Sequence, residues 1–134
     1  SAGQEGEQRL LDFLRGQLEA NGFGRQQIAE TAVLADELFI LCCNQAEPDA
    51  RFLAQCAVTE ETGTVLLQVK GSMGGRNPLE NTWGEAAARA AAYILKNTQR
   101  VTFESMDGMD MITVTRQLEA GASGRSGLKQ QTRR

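Results

Sequence analysis

The chain contains no histidine among its 134 residues. Histidine is the most frequent general base in enzymes and the most frequent metal ligand in proteins. Its absence excludes Ser-His-Asp and Cys-His catalysis within this chain. Any catalysis would therefore depend on carboxylates, on lysines, or on a bound nucleotide with its metal ion.

Long apolar runs and excess positive charge are also absent. No run of about 18 apolar residues could form a membrane span, and the polar N-terminal residues show no signal-peptide pattern. The net charge of -3 gives no general attraction to nucleic acid, whose binders usually carry a basic face. We therefore expect a cytoplasmic protein that binds neither nucleic acid nor membrane.

Cysteine is scarce, and its spacing matches no metal site. The chain has three cysteines, of which Cys42 and Cys43 are adjacent in an apolar segment. No Cys-x-x-Cys pair is present, and nothing in this pattern lowers the pKa of a thiol. An odd number of such cysteines favours reduced, buried thiols and a reducing compartment. The sequence thus predicts no metal site.

Apolar periodicity predicts helices and hairpins in a definite order. Leucines at helical spacing predict a first helix from Gln8 to Ala20, and a second helix is expected from just after Gly24 to about Asn44. The alanine-rich segment 85–97 predicts a third helix. Alternating apolar runs predict strands at 52–59, 65–70, 101–105 and 111–118.

This order of elements predicts an α+β fold. We expect a two-layer α/β sandwich, with the helices packed on one face of a mixed, mostly antiparallel sheet. One domain should cover residues 8–118, and the polar residues 119–134 should form a disordered tail or linker. Polar ends are also typical of a module within a longer protein, and that interpretation stays open.

Three stretches resemble the histidine-kinase-like (GHKL) ATPase family. ADELFILCCNQAE, residues 35–47, resembles the family's first nucleotide motif. VKGSMGGRNPLE, residues 69–80, is similar to its Asp-Ser-Gly-x-Pro-Phe-Asn-Pro-Leu loop, and residues 100–118 resemble its terminal hairpin. The resemblance is to anti-sigma-factor serine kinases and to the related domains of bacterial regulatory phosphatases. It implies a Bergerat-type ATPase fold over most of the chain.

The resemblance also implies roles for single residues. Glu37 matches the family's general base. Leu41 stands at the magnesium-binding asparagine, and its side chain offers no oxygen to a hard cation. Gly71 stands at the adenine-binding aspartate, and Met73 at a glycine that lets the base approach. Only the general base therefore survives among these positions.

The family's phosphate-binding glycines are missing as well. Ala88 and Ala90 stand in their place, inside the predicted alanine-rich helix. These departures imply a degenerate member without a cofactor. Its remaining nucleotide loop would contain Gly71, Gly74, Gly75 and Asn77.

Several of these residues have alternative interpretations. Shifting the alignment places Asn44 at the metal position but Ile40 at the general base, and an asparagine near a helix end is more often a cap or turn residue. Glu37 also fits the solvated side of a helix, or a pair with an arginine. Met106, Met109 and Met111 suit either a core or an adaptable surface.

The segment GSMGGRN, residues 71–77, is called the glycine loop below. Successive backbone N–H groups in such a loop can form a nest for an anion, helped here by Arg76. The glycines can equally serve turns with positive φ, and the sequence favours this second interpretation.

The function expected from the resemblance is regulation without catalysis. The domain would bind a protein partner in bacterial signalling or transcription control: a sigma factor, an anti-sigma-factor antagonist or a phosphatase domain. A homodimer is also possible, with the first helix or a sheet edge as the contact. The alternative is an active serine/threonine kinase that uses ATP and Mg²⁺, with Glu37 as its base. A third hypothesis is an unrelated domain with a small-molecule pocket.

Overall fold

The computed structural model describes residues 2–44, 52–59 and 61–118, with side chains from residue 8 onward. Three helices and four strands follow one another in the predicted order. They are α1 (Ala2–Ala20), α2 (Arg25–Asn44), β1 (Leu53–Thr59), β2 (Thr64–Gly71), α3 (Glu85–Asn97), β3 (Arg100–Met106) and β4 (Met109–Gln117). The expected α+β class is confirmed. The expected tail, residues 119–134, lies outside the described residues.

The four strands form one sheet in the order β1-β2-β4-β3. Every pairing in the described part of the chain is antiparallel, whereas a mixed, mostly antiparallel sheet was expected. The sheet consists of two hairpins, β1-β2 and β3-β4, joined along β2 and β4. The central strands are therefore β2 and β4, and the edges are β1 and β3.

The hydrophobic core lies between one face of this sheet and the helices. Exposure alternates along β2 and β4, so that one face is buried, as expected for a two-layer arrangement. Leu14 and Leu18 of α1 pack into this core with Leu34 and Leu38 of α2. In α3, small alanines face the core and allow the helix to approach closely. The core side chains of the two central strands are Val65, Leu67, Val69, Ile112 and Val114.

The largest differences from the expected element boundaries are at the start of α1 and at the turn of the second hairpin. Helix α1 begins at Ala2, six positions before the expected Gln8. The second hairpin has a two-residue turn, because Asp107 and Gly108 adopt φ values of 53° and 78° and Met106 pairs with Met109. Such positive φ values at both turn residues belong to a type I′ turn, which matches the twist of the strands. Asp110 is therefore a strand residue.

Candidate functional site

The glycine loop folds around a carboxylate that belongs to the sheet. Gly71 ends β2 directly opposite Asp110 on β4. Gly74 and Gly75 both have φ of 72°, so the chain turns back towards the sheet. The backbone N–H groups of Met73 and Gly75 then donate hydrogen bonds to Oδ2 of Asp110, at 2.6 and 3.0 Å. The positive φ values fit the turn interpretation that the sequence favoured, and the loop N–H groups in addition hold an anion, which is part of the protein.

Asp110 is 1% exposed, and its ionisation is set by burial and by hydrogen bonds from Ser105 on β3 and from the loop. Burial raises the pKa of the carboxyl, while hydrogen bonds from the Ser105 hydroxyl and from the N–H groups of Met73 and Gly75 lower it by more. The resulting pKa is below the ordinary value. The other oxygen, Oδ1, is buried and has no hydrogen-bond partner among the described residues. The loop donors thus stabilise a buried negative charge.

Met73 closes the loop from the inside. Its side chain is fully buried and belongs to the hydrophobic core. The resemblance expects a glycine here, with open space for a base. The long, flexible apolar side chain of the methionine instead occupies space in the core.

Asn77 organises the end of the glycine loop. Its side-chain oxygen accepts a hydrogen bond of 3.0 Å from the N–H of Leu79, and its carbonyl accepts one from the N–H of Glu80. The same carbonyl accepts a hydrogen bond of 2.9 Å from the side chain of Asn81. These bonds are typical of a turn that is stabilised by its own asparagine.

Glu37 lies on a different part of the surface. It is half-buried on α2 and borders an open depression of about 450 Å³ against α3. The other residues around this depression are Arg89, Ala92, Tyr93 and Lys96. None of them belongs to the glycine loop. The structure therefore groups Gly71, Gly74, Gly75 and Asn77 in one loop and places Glu37 among the cations of α3.

Asn44 ties the end of α2 to the segment before α3. Its side-chain nitrogen donates to the carbonyl of Trp83 at 2.8 Å, and its oxygen accepts from the N–H of Trp83 at 3.0 Å. The side chain thus reaches a backbone 39 positions away, a contact that the cap or turn role suggested by the sequence did not include. Helix periodicity cannot reveal such a partner, because the contact is made only in the folded chain.

Replacing Asn44 by alanine is expected to lower the free energy of unfolding by about 1.5 kcal/mol, because two hydrogen bonds are lost. The amide of Trp83 should also exchange its hydrogen faster in the variant. Urea unfolding and hydrogen exchange measure the two effects. A matched amide on the same helix is Gln26, which is exposed and whose side chain donates a hydrogen bond to Glu30, one turn away. Gln26→Ala should change stability by less than about 0.5 kcal/mol; an equal loss in both variants would contradict a specific role for Asn44.

Arg116 is a second tie, which the sequence analysis did not predict. Its guanidinium donates to Oε1 of Glu30 on α2 at 2.9 Å and to the carbonyl of Asn97 at the end of α3 at 3.3 Å. The Arg116 side chain is 14% exposed. Arg116 lies two residues after the buried Val114 on β4, and therefore on the same inward face. This alternation is the sequence signal that could have indicated a partly buried ion pair. This tie joins β4 to α2 and to the end of α3.

Comparisons with known proteins add no family to this picture. No protein-family model matches the chain, and no curated protein matches it significantly. Within the described ranges no group of three or more Cys, Asp or Glu side chains is placed to hold a metal ion, and no helix is long and apolar enough to cross a membrane.

Proposed function

We propose that this chain is a non-catalytic, ATPase-like regulatory domain, a degenerate member of the GHKL ATPase family that acts by binding a protein partner. The observation that supports it most is the Asp110 carboxylate inside the glycine loop. The N–H groups of Met73 and Gly75 already bind this anion. A nucleotide phosphate at the same donors would have to approach a buried negative charge, which is strongly unfavourable.

The third helix gives independent support. Helix α3 runs without a break from Glu85 to Asn97 and includes Ala88 and Ala90, the positions of the family's phosphate-binding glycines. In a helix interior each backbone N–H is bonded to the carbonyl four residues earlier. Those N–H groups are not available to a phosphate.

Glu37 adds to the same proposal. A general base has to reach the group from which it takes a proton. Glu37 borders a depression with Arg89 and Lys96, and the glycine loop contributes no residue to it. The residue fits a surface role in this arrangement. The buried Met73 further removes space at the position where the family admits its base.

The resemblance implies the class of partner: a sigma factor, an anti-sigma-factor antagonist of the small α/β type, or a phosphatase domain. The structure also limits how the contact can be mapped. Leu10, Leu14 and Leu18 of α1 are core residues, so deletion of this helix would destabilise the fold along with any contact. Substitutions on its exposed side, for example at Phe13, are the appropriate test.

The nucleotide test is thermal unfolding with ATP and ADP, each with and without Mg²⁺, at millimolar concentration. We expect no change in Tm. A ligand at a hundred times its Kd would stabilise the native state by about 2.7 kcal/mol and raise Tm by about 5–15 °C. A rise that requires Mg²⁺ would overturn the proposal in favour of the active kinase. In that case Glu37→Gln should abolish phosphoryl transfer while leaving nucleotide binding in place.

A further inference from the structure

Three of the four methionines lie together on the face of the sheet that points away from the core. Met106 and Met109 are directly opposite each other, on either side of the two-residue turn of the second hairpin. Paired residues of neighbouring strands project to the same face, and so do residues two apart on one strand. Met111 therefore shares this face with both, whereas its neighbour Ile112 belongs to the core.

These methionines differ from the fourth in their accessibility. Met106 is 71% exposed and Met109 is 52% exposed, and Met111 is half-buried. The fourth, Met73, is fully buried in the core. Met106 and Met109 therefore contribute little packing to the core, and a ligand can reach their side chains from solvent.

The spacing of the three positions brings their sulfur atoms within reach of one ion. Directly opposite residues of an antiparallel pair have Cβ atoms about 4.5–5.5 Å apart, and diagonal neighbours are about 7–8 Å apart. Met106 and Met109 are such a direct pair, and Met106 and Met111 are diagonal neighbours. A methionine sulfur lies two bonds beyond Cβ on a flexible side chain. The three thioethers can therefore converge on one point above the end of the hairpin.

The surroundings of the three methionines are polar. Glu104 and Lys70 flank Met111 on the two neighbouring strands, so that their charges offset each other. Asp107 in the turn is exposed and adds a negative charge. The next residue on this face of β4 is the polar Thr113. The end of the hairpin thus favours a cation over an anion, and its methionines form a small group of their own.

We propose that Met106, Met109 and Met111, called the methionine site below, bind a soft monovalent cation, Cu(I), through their three thioether sulfur atoms. Soft sulfur ligands select Cu(I), whereas carboxylates, carbonyls and water suit Mg²⁺ and Ca²⁺. Thioether sulfur is a different ligand from the carboxylates and thiols of the metal groups excluded above. The inference does not rest on the proposed function, because it uses no residue to which the resemblance assigns a role.

Nuclear magnetic resonance of the methionine methyl groups tests the site in a Cys43→Ser/Cys56→Ser background. Thiolates also bind metals, and these two cysteines are exposed and half-buried. Cys42 is retained, because it is buried and burial raises the pKa of its thiol. Protein with ¹³C-labelled methionine methyl groups is titrated with Cu(I), supplied as its acetonitrile complex without oxygen. We expect the signals of the methionine site to shift and to saturate at one ion per chain, while the signal of Met73 stays in place.

Leucine variants separate the sulfur from the apolar volume, because leucine keeps the size and character of methionine. Loss of an outer-shell partner of a metal site costs about 10–100-fold in affinity. Each of Met106→Leu, Met109→Leu and Met111→Leu removes a direct ligand and should weaken Cu(I) binding at least as much, and the triple variant should not bind. The matched control is Glu104→Gln, which removes a neighbouring charge but no sulfur. It should weaken binding by less than about fivefold, since exposed charges contribute little.

Any of three results would overturn the proposal. The first is that excess Cu(I) leaves the signals of the methionine site unshifted. The second is unchanged affinity in the triple leucine variant. The third is an equal shift with Zn²⁺, because selection by soft thioethers predicts none. The Tm of each variant without metal, together with the unshifted signal of Met73, shows that the fold is intact.

Discussion

Replacing Asp110 by alanine is expected to lower the free energy of unfolding by about 3 kcal/mol, because hydrogen bonds to charged groups contribute about 1.5–3 kcal/mol. The substitution leaves the N–H groups of Met73 and Gly75 without their acceptor, and the site is buried. For a domain of this size the loss should lower Tm by about 10 °C. Urea and thermal unfolding measure both quantities.

The control for Asp110 is an exposed carboxylate. Asp36 lies on the exposed side of α2, and Asp36→Ala should change the free energy of unfolding by less than about 0.5 kcal/mol. Equal effects of the two substitutions would show that the glycine loop does not depend on Asp110.

The stability that Asp110 contributes should depend on pH. Its folded-state pKa is below the ordinary value, because burial raises it less than the hydrogen bonds from Ser105, Met73 and Gly75 lower it. Between that pKa and the unfolded value of about 4, the unfolded chain binds more protons. The contribution is therefore complete above about pH 5 and is lost as the pH falls through the folded pKa. Unfolding of the original chain and Asp110→Ala should converge towards low pH; a constant difference would contradict an ionised carboxylate.

Replacing Met73 by alanine should have an effect of similar size, about 3 kcal/mol, since the side chain is fully buried and its removal leaves a cavity. Met73→Leu keeps most of the volume and should cost less than about 1.5 kcal/mol. Urea unfolding of both variants separates the loss of volume from the change of residue type.

A surface methionine provides the comparison. Met106 has the same chemistry but is 71% exposed at the second hairpin. Met106→Ala should change the free energy of unfolding by less than about 0.5 kcal/mol. If Met73→Ala changes the free energy of unfolding as little as Met106→Ala does, Met73 does not fill this part of the core. The argument that Met73 removes space for a nucleotide would then be unsupported.

Local patterns were sufficient to predict the elements of this fold. Each helix buries residues that recur at helical spacing, and each hairpin is closed by a turn of a few residues. The order of helices and strands was therefore predictable from the sequence, and so was the unbroken helix over Ala88 and Ala90. The strand order was not, because the pairing of β2 with β4 joins segments on either side of α3.

The site depends on that non-local pairing. Asp110 follows the Asp107-Gly108 turn and was predicted as part of the hairpin connection. Only the register of β2 with β4 brings it opposite Gly71, beside the loop donors. The sequence offered an anion-binding loop only as the less favoured of two interpretations, and it contained no local signal that the anion would come from another strand. Asn44 and Trp83 were missed as a pair for the same physical reason.

The seam between β2 and β4 has a consequence for folding kinetics. Each hairpin can form within its own segment of chain, whereas the pairing of β2 with β4 closes a loop of chain that includes the whole of α3. Contacts between distant segments form late, because chain entropy opposes them until other contacts compensate. We therefore expect the hydrogen bonds between Asp110 and the glycine loop to form after the hairpins. Interactions that form late mainly retard unfolding, so we expect the loss of these hydrogen bonds to speed unfolding more than it slows folding.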